Sequence, residues 1–155
     1  MIRLINITDA EKLISLRMEV LHDVFDIPAE QDTASLREKN LRYYRTHLHD
    51  GSHLACVAEV DGNIAGCGAI CYHDEMPSPD NTSGRCGYIM NIYVRPCFRR
   101  KGVASAIVEH LLADARSRSV DKIYLETTDM AKHLYARHGF TPMEGMMKFN
   151  KSRNR

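Results

Sequence analysis

The sequence predicts a single α/β (α+β) domain built on one mixed, mostly antiparallel sheet with helices on both faces. Three observations carry that reading. Ala104, Ile107, Val108, Leu111, Leu112 and Ala115 recur at helical spacing and mark one amphipathic helix. Asp61-Gly62 separates a short apolar run, Leu54 to Val60, from an alternating run, Asn63 to Tyr72, which is the signature of an antiparallel hairpin. Strand-like and helix-like segments then interleave along the rest of the chain. Its 155 residues suffice for one domain with a real core and fall short of two ordinary ones. The expected domain covers 1–150, and 151–155 forms a polar tail.

In chain order, residues 2–7 read as a first strand. Thr8-Asp9-Ala10-Glu11 has the form of a capping box and opens a helix carrying Leu13, Ile14 and Leu21. Pro28 interrupts it. Ser35 to Glu38 offers a second capping box, and Leu36, Leu41, Tyr44 and Leu48 carry a helical stripe to the Asp50-Gly51 break. The hairpin follows, then a polar loop over 73–84 with Pro77 and Pro79. Tyr88 to Val94 reads as a strand, Val103 to about Ser117 as the helix above, Lys122 to Thr127 as a strand, and Met130 to His138 as a short helix stopped by Gly139. Phe140 to Asn150 is expected to add a last strand or pair.

The bulk composition excludes several function classes. A formal charge of +1 argues against a nucleic-acid binder or a membrane-surface protein. No segment is long and apolar enough to span a bilayer and none at the start reads as a leader, so a cytoplasmic protein is expected. Five cysteines at 56, 67, 71, 86 and 97, without paired C-x-x-C spacing, suggest neither a disulfide framework nor a zinc site. No H-E-x-x-H is present and the histidine spacings do not share helix faces, so no metal is expected.

Positive charge matters locally instead. Between Val94 and Ala104 the chain packs a strand end, a proline stop at Pro96, a basic turn of Arg99, Arg100 and Lys101, and Gly102 before a helix. The first N–H groups of that helix lack partners and the peptide dipoles point their positive end there, so the turn suits an anion. Gly102 lets backbone approach a ligand closely. The pattern is neither a Walker phosphate loop nor a dinucleotide G-x-G-x-x-G.

Val94-x-Pro96-x-x-Arg99-x-x-Gly102-x-Ala104 resembles the acyl-CoA motif of the GNAT superfamily of N-acetyltransferases. Downstream, the stretch from Leu125 through Tyr135 to Gly139-Phe140 is similar to that family's strand, short helix and Leu-Tyr-x-x-x-Gly-Phe ending. The resemblance implies acetyl-CoA as donor and a splay between the strands ending at Val94 and at Thr127. It assigns the pyrophosphate to the N–H groups and side chains of Arg99, Arg100, Lys101, Gly102, Val103, Ala104 and Ser105. It assigns the pantetheine arm to the backbone of Ile92, Tyr93 and Val94, with an N–H near Ile92 facing the thioester oxygen.

Tyr135 matches the family tyrosine beside the coenzyme sulfur, and a phenol with a reference pKa near ~10 is a proton donor at neutral pH. General acid is the role this implies. Thr128 stands where many members carry asparagine and is expected to touch the pantetheine. Relatives often place a glutamate or histidine where this chain has Tyr88 and Met90, so no base is readable there. His22, Asp23, His73, Asp74, Glu75 and Asp80 are loop groups able to attract a cationic amine. The acceptor is an amine of unspecified identity, a homodimer is compatible with the sequence, and an acyl-CoA-binding regulatory module without transferase activity is the alternative.

Overall fold

The computed structural model describes residues 1–151. Five strands form one sheet in the order β1-β2-β3-β4-β5: β1 Ile2–Ile7, β2 His53–Val60, β3 Asn63–Asp74, β4 Arg85–Val94 and β5 Lys122–Leu125. The first four pair antiparallel and β4 pairs parallel with β5. Helices α1 (Ala10–Val24) and α2 (Ala34–Asp50) join β1 to β2, α3 (Val103–Ser117) joins β4 to β5, and α4 (Lys132–Arg137) follows β5. Of the expected tail, 152–155 lie outside the described residues.

Strand alternation explains the two apolar layers, because neighbours such as Cys56 and Val57 point to opposite faces. Cys56, Ala58, Ile70 and Ile89 pack against Val103, Ile107, Val108, Leu111 and Ala115 of α3. On the other face Val57, Cys67 and Tyr93 pack against Leu16 and Val20 of α1, and Ala55 meets Leu13, Leu41 and Tyr44 of α1 and α2. Every residue of the predicted α3 stripe except Ala104 is buried. A two-pronged ion pair, Arg95 Nε and Nη2 to the Glu19 carboxylate at 2.8 and 2.7 Å, fastens the end of β4 to α1.

Several boundaries differ from the expectation for local reasons. Asp9, one residue after Thr8, caps α1 by accepting from Glu11 N at 3.0 Å. Asp32 accepts from Ala34 N at 2.9 Å, so α2 starts before the Ser35 box. The hairpin extends two residues beyond Tyr72, and β4 begins three residues before Tyr88, leaving 75–84 as the loop. β5 stops at Leu125 rather than Thr127. Phe140 to Asn150 forms no strand: Met143, Met146, Met147 and Phe149 are exposed and do not alternate regularly, Pro142 lacks an N–H, and Gly145 sits at φ 80°.

Candidate active site

The centre of β4 is irregular. Tyr93 pairs with Cys67 and Met90 with Ala69, so Asn91 and Ile92 stand opposite Gly68 alone, which is a β-bulge. Asn91 adopts φ 57°, a left-handed conformation that asparagine tolerates better than most residues. Its Oδ1 accepts from Arg17 Nη1 at 2.7 Å, while Arg17 Nε donates to Asn40 Oδ1 at 3.0 Å. One arginine of α1 therefore ties the bulge to α2. Gly68 is required where it stands, since a Cβ there would lie 2.3 Å from Ile107 Cγ2 and 2.8 Å from Ile92 Cδ1.

Pairing of β4 with β5 covers only Cys86–Ile89 against Lys122–Leu125. Beyond it, Met90 to Val94 have β3 on one side and no β5 residue in register on the other. That leaves a strand edge next to the bulge. Ile92 and Val94 are half-buried and Tyr93 is buried beneath α1.

At the end of that edge, Pro96–Phe98 makes a single 3-10 turn and Arg100 and Gly102 take φ 63° and 79°. The chain thus turns sharply into α3. Ala106 N donates to Gly102 O at 3.0 Å, which leaves the N–H groups of Val103, Ala104 and Ser105 as the open helix end. A Cβ on Gly102 would meet nothing within 4 Å, so the space above the turn is free. The buried Val103 anchors the helix start. Two of the basic side chains brace the turn itself: Arg99 Nε donates to Val94 O at 2.8 Å and pairs with Asp23 at 3.6 Å, and Lys101 Nζ donates to Cys97 O at 3.1 Å. Arg100 is exposed.

Tyr135 of α4 is buried, with its ring 5.9 Å from that of Phe140. It belongs to the same apolar cluster as Val103 and Ile107, against which Ile92, Leu125 and Leu134 pack. Burial raises its pKa, so the phenol keeps its proton at neutral pH. Ser105 Oγ and His138 Nε2, 2.7 Å apart, join the first turn of α3 to the end of α4. Thr128 is exposed on the connection between β5 and α4, where its carbonyl accepts from Ala131 N at 3.2 Å.

The loop groups considered for the amine scatter. His22 Nδ1 meets Ile27 O at 2.9 Å and Asp23 faces Arg99. His73 and Glu75 lie at the opposite end of β4, where Glu75 pairs with Lys122 at 2.8 Å. Glu126 instead comes beside Tyr88, whose pKa is raised first by burial and then by that carboxylate. The parallel register Tyr88↔Tyr124 creates this neighbourhood, and no local motif announces it. Asn91 and Arg17 were likewise unreadable, although asparagine in an apolar strand is the type of residue that marks a left-handed position.

A bulged strand with one open edge, running into a glycine-led helix start with a buried tyrosine in the adjoining cluster, is an arrangement whose chemistry suits an extended anionic carrier. The family model described as the acetyltransferase (GNAT) family matches residues 21–140, and the chain belongs to that family. It is thus an acyltransferase by class, with acetyl-CoA as donor. A predicted acetyltransferase from Clostridium acetobutylicum, solved with acetyl-CoA, superimposes with a TM-score of 0.84 at 26% identity, covering 99% of this chain and 98% of that one. The uncharacterized N-acetyltransferase YsnE of Bacillus subtilis is 26% identical over 92% of this chain and 87% of its own length. An amino-acid acetyltransferase of Mycobacterium tuberculosis is 31% identical over 71% of this chain, a match that spans only 56% of that protein. No helix among the described residues is long and apolar enough to cross a membrane.

Proposed function

We propose that residues 1–150 form a single N-acetyltransferase domain that moves an acetyl group from acetyl-CoA to a primary amine by direct attack. The observation that carries this is the one-sided β4 edge at Ile92 to Val94 ending in the open N–H groups of Val103 to Ser105. In this reading the pyrophosphate takes those N–H groups, with Arg99, Arg100 and Lys101 supplying positive field above Gly102. The pantetheine amides lie along Ile92 to Val94 as an added strand, and Thr128 borders the arm.

The amine nitrogen attacks the thioester carbonyl, and the N–H near Ile92 stabilises the oxyanion that forms. Collapse breaks the C–S bond, Tyr135 gives its proton to the leaving thiolate, and the amide nitrogen sheds its extra proton through water, which returns one to the phenolate. The amine must arrive neutral, and Glu126 beside Tyr88 is the carboxylate that takes its proton through water. Placement in the cytoplasm suits five unpaired thiols. Likeness to an amino-acid acetyltransferase makes free amino acids the first acceptors to try.

The test is release of free coenzyme A thiol from acetyl-CoA across a panel of amino acids, polyamines, amino sugars and peptides. Tyr135→Phe is expected to lower kcat about a hundredfold or more, within the range of general acid catalysis, while leaving the KM for acetyl-CoA nearly unchanged. Unchanged turnover would remove Tyr135 from the mechanism. Tight acetyl-CoA binding with no acetylation of any amine would favour the binding-module alternative.

A further inference from the structure

We propose a zinc-class metal site at the far end of the sheet from the donor seat, formed by His73 Nε2, Glu75 Oε2 and Cys86 Sγ. One ligand atom from each of these residues lies within 4.8 Å of the others. His73 and Cys86 are directly opposed in the β3–β4 register, so their side chains leave the same face of the sheet. Glu75 is brought back to them because its N–H donates to Gly84 O at 2.8 Å across the mouth of the loop. No sequence spacing reveals this, since strand pairing rather than a short motif assembles the set.

A second observation points into the same spot. Asn81 is 95% buried, being 5% exposed, and its Nδ2 lies 3.4 Å from Cys86 Sγ while its Oδ1 is buried without a partner. The two ends of a carboxamide exchange places by a half-turn. Turned over, Asn81 presents its oxygen to the cluster as a fourth ligand atom. The ligands also have the outer support typical of metal sites. Lys122 Nζ holds Glu75 Oε1 at 2.8 Å, which leaves Oε2 directed at His73 Nε2, 3.2 Å away; a metal on Nε2 displaces the Tyr124 OH that approaches this nitrogen at 3.2 Å.

Thiolate, imidazole and carboxylate together suit zinc and disfavour magnesium or calcium. Ordinary tetrahedral bond lengths put ligand atoms roughly 3.3–3.8 Å apart, so the set must contract slightly. His73 and Glu75 can do this, with side chains 39% and 40% exposed. Binding exchanges the Cys86 thiol proton for the cation and releases it to solvent. The site sits six residues along β4 from Ile92, roughly 20 Å at strand rise, and takes no part in acetyl transfer. It clamps the 75–84 loop to the start of β4.

The full-length chain, stripped with a chelator, is titrated with Co²⁺ and then Zn²⁺ while thiolate-to-cobalt charge-transfer absorption and the thermal midpoint are followed. One equivalent of Co²⁺ is expected to produce the band, Zn²⁺ to remove it, and Zn²⁺ to raise the midpoint. His73→Gln and Cys86→Ser should each abolish the band, and Asn81→Ala should weaken binding about tenfold or more. No band, or a band that persists in His73→Gln, overturns the site, the latter by locating the metal on another thiol such as the exposed Cys97. If Cys86→Ser fails to fold, the exposed His73→Gln decides alone. The readout needs no acetyl transfer, so loss of the transferase reading leaves this result standing.

Discussion

At the residue scale, Asn91 shapes the β4 edge on which the proposed donor site rests. Its left-handed backbone produces the bulge that turns the Ile92 segment away from regular pairing, and its side chain receives Arg17 at 2.7 Å. Conformation and hydrogen bond are separable by substitution. Asn91→Gly keeps access to positive φ and loses only the Arg17 contact. Asn91→Val loses both and adds the strain of a β-branched residue in the left-handed region, about 1–2 kcal/mol or more. If the bulge aims an oxyanion donor, Asn91→Val should lower kcat tenfold or more, with Asn91→Gly retaining most of it and both binding acetyl-CoA normally. Steady-state kinetics with acetyl-CoA and the acceptor varied separately measure this. Equal kcat in the two variants would detach the backbone conformation from catalysis.

At the scale of elements, the turn into α3 is the part that the sequence made most legible. The stripe from Ile107 to Ala115 needed only its 3.6-residue period, and Gly102 proved to have φ 79° with open space above it. Gly102→Ala therefore brings conformational strain of about 1–2 kcal/mol rather than a steric clash, and places a methyl group in the open space of the proposed pyrophosphate seat. Acetyl-CoA affinity should fall about tenfold or more in calorimetry, while the far-ultraviolet circular dichroism stays unchanged. The Asp61-Gly62 hairpin was equally plain because turn chemistry is local. What stayed hidden depends on register. The Asn91 bulge exists because β3 and β4 slip by one residue between Cys67 and Ala69, and Tyr88 meets Glu126 only through parallel pairing with β5. Phe140 to Asn150 misled the reading because apolar content without alternation fixes no face of a strand.

For the whole molecule, one buried acid-sensitive group lies in the seam between α2 and the sheet. His53 is only 5% exposed, with rings of Tyr43 and Tyr44 at 5.2 and 5.7 Å, Tyr43 OH at 3.0 Å from its Nδ1 and a buried, unpartnered Nε2. Burial, with His47 and Arg17 nearby, pushes its pKa down to about 4 from 6.5. A histidine with a depressed pKa binds fewer protons folded than unfolded at intermediate pH, so stability rises with pH across that window. Its contribution is complete above about pH 6.5 and is lost as pH falls towards 4. The gap is worth roughly 3 kcal/mol at most for one group, a large share of an ordinary domain's stability. Urea midpoints at pH 7 and pH 4.5 should therefore differ more in the native chain than in His53→Phe, which cannot take up the proton and leaves no unpartnered nitrogen. Glu19, held below its usual carboxylate pKa by Arg95, contributes in the same direction at lower pH and is present in both chains, so the difference between them isolates the α2 seam. Parallel midpoints in the two proteins would show that the seam opens, or hydrates, without a proton.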